Sequence, residues 1–220
     1  MPYVVLRLVL KALMRLLWRV RVQGLENVPP AGGFLLASNH LSFIDSVLIP
    51  VVVPRRVAFL AKAQYFEGRG LRGALSRLWF RGLGAVPVRR GSHGEAMASL
   101  HVALQVLRDG DGFGIYPEGT RSRDGRLHRG RTGVAWLALA SGAPVVPVGV
   151  IGTDRVQPVG ARLPRIAPVT VRFGPPVDAD GYQSLPAGAA RRRMTDDIMA
   201  VVAELSGQPV AQDYSPTSAQ

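Results

Sequence analysis

His40 and Asp45 are two residues whose types and spacing could do chemistry together. They lie in the stretch Phe34-Leu-Leu-Ala-Ser-Asn-His-Leu-Ser-Phe-Ile-Asp-Ser46, five positions apart. A continuous helix would set such a pair about 140° from one another, so they meet only if the chain turns between them. Phe34 to Ser38 reads as a short buried strand. Ser42 is a suitable cap for a helix beginning near Phe43. That leaves His40 on the loop and Asp45 in the first helical turn, where the helix dipole favours a carboxylate. An Asp that orients a His is the base half of a catalytic triad. The chain has no Gly-x-Ser-x-Gly elbow and no cysteine, so no motif supplies the nucleophile. The base would then act on a substrate hydroxyl. A loop His bonded to a nearby Asp for structural reasons fits the same pattern, and the pair alone leaves both readings open.

The second kind of chemistry is anion binding. Pro117-Glu-Gly-Thr-Arg-Ser122 is a Gly-containing, hydroxyl-bearing turn with an arginine, able to cradle phosphate oxygens through backbone N–H groups and a guanidinium fork. Arg123, Arg126, Arg129 and Arg131 follow it, and Arg89-Arg90 ends an earlier strand. Over 220 residues the 27 basic and 15 acidic side chains leave a formal charge of +12. Such an excess suits an anionic partner: nucleic acid, an anionic membrane or a phosphorylated substrate. Nucleic-acid binding would call for aromatics interleaved with the basic residues; aromatics are only 7% and scattered, so no nucleic-acid partner is expected. No metal-ligand cluster is visible and no cofactor is expected. Without cysteine, disulfides and thiolate metal sites are excluded.

These residues need a scaffold. Short apolar strands alternate with helices along the chain. Strands are expected at Val22 onward, Phe34–Ser38, Val57–Ala61 leading to Lys62, 84–90, Phe113–Tyr116, Pro144–Val150 and Val169–Phe173. Helices are expected after Phe43, over 68–84, over Glu95–Arg108, Thr132–Ser141 and about Ala189–Leu205. That order argues for an α/β fold: a single domain with a largely parallel sheet flanked by helices.

Met1 to Val20 reads as an amphipathic helix. Arg7, Lys11, Arg15, Arg19 and Arg21 fall within an arc of roughly 160° on the helical wheel, with Leu, Val and Met filling much of the rest. Lys11 near the midplane argues against a membrane span, at about 2.5–3.5 kcal/mol for such a charge. A helix lying in the membrane interface is the preferred reading. The alternative is a helix packed on the protein's own core with its basic face in water. The resulting organisation is a membrane-associating helix over 1–21, a catalytic domain over 22–206 and a disordered polar tail over 207–220.

Four stretches stand in a fixed order: Asn39-His40-x4-Asp45, Gly84-x5-Arg90, Pro117-Glu-Gly-Thr-Arg-Ser122 and Val145-Val-Pro-Val-Gly149. Together they resemble the glycerolipid acyltransferase family, specifically the bacterial 1-acylglycerol-3-phosphate acyltransferases, over about Val22 to Val177. The resemblance implies that His40 is the general base and Asp45 its partner. It implies substrate binding by Lys62, Arg90, Glu118, Gly119, Thr120 and Arg121, the arginines on phosphate. Gln64 stands where the family's Lys-x-Glu pattern has Glu, and Arg89 where an Asp commonly precedes the arginine. The implied reaction moves an acyl chain from acyl-CoA or acyl carrier protein to a lysophospholipid acceptor, giving phosphatidic acid at the cytoplasmic face of the cell membrane. Glycerol 3-phosphate or another lipid alcohol as acceptor, and a non-catalytic lipid-binding protein, are the competing readings.

Overall fold

Strand β2 (Phe34–Ser38) lies in the middle of the sheet and all five of its residues are buried. A strand covered on both faces needs no polar alternation, which is why it reads as an unbroken apolar run. The computed structural model describes residues 2–216 except 71–72, 75–76, 79–83, 89–92 and 162. The remaining strands are β1 (Arg21–Gln23), β3 (Val57–Lys62), β4 (Ala85–Val88), β5 (Gly112–Ile115), β6 (Val145–Ile151) and β7 (Thr170–Phe173). They form one sheet in the order β1-β7-β6-β2-β5-β3-β4.

Pairing is parallel throughout except between β6 and β7, which are antiparallel. Residues 152–169 join these two strands and, among the described residues, carry one short helix, α5 (Thr153–Val156).

Alternation along β2 divides the core into two layers. Phe34 and Leu36 point into the layer that also holds Met14 and Trp18 of α1 (Pro2–Trp18) and Val47, Leu48 and Val51 of α2 (Asp45–Val52). Leu35 and Ala37 point into the other. There they meet Leu104 of α3 (His93–Arg108), Val134 of α4 (Gly133–Ser141) and Ile198 of α6 (Ala187–Ser206). Two glycines let aromatic rings lie over β5. A Cβ at Gly112 would stand 2.4 Å from the Phe34 ring, and one at Gly114 would stand 2.0 Å from the Phe59 ring.

Two features differ from the sequence reading. Helix α1 turns part of its basic arc inward: Arg7 donates from Nε to Val51 O at 3.2 Å, and its two terminal nitrogens reach Pro54 O and Val53 O. Those carbonyls close the C-terminal end of α2, where backbone acceptors lack helical partners. Leu8, Val9, Leu13 and Leu16 face outward instead. Within the tail over 207–220, expected to be disordered, residues 209–213 lie along 127–129. Leu127 N donates to Pro209 O at 2.9 Å, Ala211 N to Leu127 O at 2.8 Å, and Arg129 N to Asp213 O at 2.9 Å. Its composition is polar, but its backbone pairs with that of Leu127 and Arg129, and Ala211 is buried to 2% exposure. The helix expected over 68–84, Trp79 included, falls largely outside the described residues.

Candidate active site

Parallel strands deliver their following loops to one end of the sheet, and the chemistry sits there. The loop after β2 is folded around a single oxygen. Asp45 Oδ2 accepts from Leu41 N and Ser42 N at 2.8 Å each, and lies 2.9 Å from His40 Nδ1. Those two backbone bonds make the turn that brings residues 40 and 45 together. Asp45 is fully buried and the His40 side chain is 15% exposed. With Nδ1–H donated to the carboxylate, the lone pair of His40 sits on Nε2.

Ser42 caps the turn that leads into α2: its Oγ accepts from Ile44 N at 3.4 Å and its carbonyl accepts from Asp45 N at 3.2 Å. Helix α2 itself begins at Asp45, two residues later than the sequence suggested. The Ser42 hydroxyl also donates to Gln157 O at 2.8 Å. The loop is thereby tied to the segment after α5. Ser38 donates to Asn39 O at 2.9 Å. Asn39 is pinned to β6, its Nδ2 donating to Val150 O at 2.9 Å and its Oδ1 accepting from Val150 N at 2.7 Å.

The loop after β5 lies against this loop. Ser122 N donates to His40 O at 2.7 Å. Glu118 is 1% exposed; one oxygen accepts from His40 N at 3.3 Å and the other from His128 N at 3.0 Å. Burial pushes its carboxyl up to about 7, against the opposing effect of those two N–H donors. Expected among substrate-binding residues, Glu118 is thus placed beneath the site as a brace between two loops. Gly119 has φ +81, and a Cβ there would press on the Arg131 side chain at 3.1 Å. Thr120 and Arg121 follow it, both half-buried. The backbone N–H of Arg126, helped by the His128 ring and the Ser122 hydroxyl, holds Asp124 below its usual carboxylate value.

Lys62 ends β3, its backbone paired beside Val88 of β4, so it reaches the same end of the sheet. Arg90 lies outside the described residues. Among the described residues no cluster of His, Cys, Asp or Glu could hold a metal.

Tyr116 escaped sequence reading. Its ring stacks on His40, and its hydroxyl lies 2.9 Å from Ser46 Oγ. Burial, and then the Asp45 charge, raise its pKa well above the ordinary phenol value, so it remains a neutral ring. The signal was present in principle: β2 and β5 are neighbours, and Tyr116 and His40 each follow a strand end closely.

The Acyltransferase family model matches residues 19–151. The chain is 27% identical over 201 residues to the 1-acyl-sn-glycerol-3-phosphate acyltransferase of Bacillus subtilis (strain 168), covering 90% of this chain and 94% of that one. It is 30% identical over 145 residues to the chloroplastic 1-acyl-sn-glycerol-3-phosphate acyltransferase of Brassica napus, covering 66% of this chain but only 40% of the plant protein's length. The crystal structure of the 1-acyl-sn-glycerophosphate acyltransferase PlsC from Thermotoga maritima superposes with a TM-score of 0.64 at 29% identity, covering 86% of this chain and 73% of that one.

Proposed function

The chain belongs to the acyltransferase family, and from that premise we propose that it transfers an acyl group from an acyl thioester, acyl-CoA or acyl carrier protein, to the free hydroxyl of 1-acylglycerol 3-phosphate. The product is phosphatidic acid and a free thiol. The observation that carries the reading is the His40–Asp45 pair at the end of the central strand, with Nδ1 taken up by a buried carboxylate.

In this reaction His40 Nε2 takes the acceptor hydroxyl proton as its oxygen attacks the thioester carbonyl carbon. The new C–O bond forms, the tetrahedral intermediate collapses with loss of the C–S bond, and the proton passes from the imidazolium to the leaving sulfur. Asp45 stabilises the imidazolium between those events. Arg121, on the loop tied to His40 by the Ser122–His40 bond, is suited to hold the acceptor phosphate, with Gly119 and Thr120 beside it. Arg90 and Lys62 complete the acceptor site in this reading. Positioning of this kind turns an encounter of two substrates into a reaction within one complex.

An anionic membrane surface is the proposed place of action. No helix among the described residues is long and apolar enough to cross a membrane. Helix α1 offers the alternative: Leu8, Val9, Leu13 and Leu16 face outward, with Arg15 and Arg19 also exposed. This suits a helix seated in the headgroup layer.

The test is a panel of acceptors with labelled palmitoyl and oleoyl thioesters and the purified full chain in detergent. 1-Acylglycerol 3-phosphate should be the best acceptor. Equal use of monoacylglycerol would remove the phosphate assignment, and preference for glycerol 3-phosphate would move the reaction one acylation earlier.

A further inference from the structure

The backbone leading into His40 and the loop that follows β5 share a partner from the far end of the chain. Gln208 Oε1 accepts from Asn39 Nδ2 at 2.7 Å, and Gln208 Nε2 donates to Gly125 O at 3.0 Å. Asn39 is fully buried and immediately precedes His40. Gly125 lies in the loop that carries Glu118 and Arg121. One amide side chain therefore joins both halves of the site.

The segment behind Gln208 reinforces that link. Residues 209–213 pair with Leu127 and Arg129 through the three backbone bonds described above. Farther along, the Tyr214 ring lies beneath two guanidinium groups, those of Arg129 at 5.4 Å and Arg131 at 5.6 Å. Arg131 in turn touches the position where Gly119 would carry a Cβ. The strap thus supports the anion-binding turn from behind, while Gln208 reaches the base.

We propose that the carboxyl-terminal strap, residues 208–214, is a positioning element of the acyl-transfer site, and that Gln208 is the residue that couples the base loop to the acceptor loop. The proposal rests on the acyl-transfer reading for its kinetic consequences, but not for its structural ones. Gln208 touches no reacting atom. Its effect passes through Asn39 to His40 and through Gly125 to the Glu118–Arg121 turn. Geometry errors of about 1 Å at a reacting group can cost about a hundredfold in rate, so a partial loss of registration should be visible.

Gln208→Ala removes both bonds, and Gln208→Glu keeps the acceptor for Asn39 while losing the donor to Gly125. On the full chain, Gln208→Ala should lower kcat roughly tenfold, with the donor KM within twofold of wild type. Gln208→Glu should recover part of the loss. Deletion from residue 208 onward should lower kcat further, and Tyr214→Ala should raise the acceptor KM with kcat less affected. Thermal melting of each variant shows that rates are compared on folded protein.

Amide hydrogen exchange provides a readout that needs no turnover. Gln208→Ala should speed exchange in two separate segments, 39–42 and 118–128. A merely structural strap would loosen only its own contacts near 127–129. If Gln208→Ala keeps kcat within twofold and leaves exchange at 39–42 unchanged, the coupling role is wrong. If exchange changes in both segments but no acceptor is acylated even by wild type, the coupling stands and the reaction assigned above falls.

Discussion

The His40 imidazole lies flat on the Tyr116 ring, with centroids 3.7 Å apart and planes 7° apart. The stack and the Asp45 bond fix the imidazole in two different ways. Asp45 selects which nitrogen carries the proton, while Tyr116 restricts the tilt of the ring. Stacked aromatic pairs are worth about 0.5–1.5 kcal/mol beyond the area they bury. Tyr116→Phe keeps the stack and loses only the bond to Ser46, so turnover should fall by no more than a few-fold. Tyr116→Leu removes the stack and should lower kcat about tenfold or more. Steady-state rates of the two variants, compared at matched folded fraction, check the distinction; equal losses would assign the effect to the hydroxyl.

The base itself is tested by His40→Ala, which should lower turnover by about 10²–10⁴ while the fold is retained. Asp45→Asn should also be severe. Asp45 Oδ2 organises Leu41 N and Ser42 N as well as the ring, so the variant disturbs the turn together with the tautomer. Ser38 and Ser42 donate to backbone carbonyls, which leaves neither hydroxyl aimed as a nucleophile. Initial-velocity lines should intersect, as for direct attack in a ternary complex, rather than run parallel. An acylated Ser38 or Ser42 found by mass spectrometry when donor is given alone would overturn the direct route.

The central part of this site was legible in the residues because short-range physics sets it. The His40–Asp45 pair is built within one loop, and its closure depends on backbone N–H groups next to the carboxylate. The apolar runs of β2 and β6 read as buried strands, and the structure buries them almost throughout. What stayed hidden depends on long-range pairing. Gln208 meets Asn39 across the sequence, and Val210 pairs with Leu127. The polar composition of 207–220 carries no trace of those partners. For Glu118 the resemblance implied substrate binding, and only its depth and its bonds to two backbone N–H groups show that it braces two loops. Helix α1 shows the limit of a helical wheel. The wheel grouped Arg7 with the outward basic residues, whereas the carbonyls at the end of α2 draw it inward.

Glu118 makes stability depend on pH in a definite direction. Its folded-state value, about 7, stands above the ordinary 4.5. The folded protein therefore binds this proton more tightly than the unfolded chain does. The contribution is fully present below about 4.5 and is lost as pH rises through about 7, a change of about 3 kcal/mol at most. Glu118→Gln removes the titration, although its amide N–H₂ must face one of the two backbone donors. Urea melts of both proteins at pH 5 and pH 8 check this. The wild type should lose more stability than the variant between those values; parallel behaviour would mean that Glu118 does not titrate there.

Helix α1 yields the last prediction, because the inward and outward sides of the helix should fail in different ways. Leu8, Val9, Leu13 and Leu16 face away from the core, and Leu16 is 77% exposed. Loop residues Leu163 and Ile166 are equally exposed. They precede Val169, whose N–H donates to Trp18 O at 3.0 Å at the end of α1, so helix and loop approach the same border of the molecule. Burying one leucine in an apolar medium is worth about 1.5–3 kcal/mol. Leu13→Asp together with Leu16→Asp should therefore weaken binding to anionic vesicles at least about tenfold and leave thermal stability nearly unchanged. Arg7→Ala should do the reverse. It strips the carbonyls of Val51, Val53 and Pro54 of a shared charged donor, which should destabilise the fold by about 1–3 kcal/mol with little effect on vesicle affinity. Added salt should weaken vesicle binding of the wild type, since Arg15 and Arg19 are exposed. Vesicle sedimentation and thermal melting on the same three proteins decide the matter. Loss of vesicle binding in Arg7→Ala with none in the leucine pair would mean that the basic side of α1, and not its apolar side, faces the membrane.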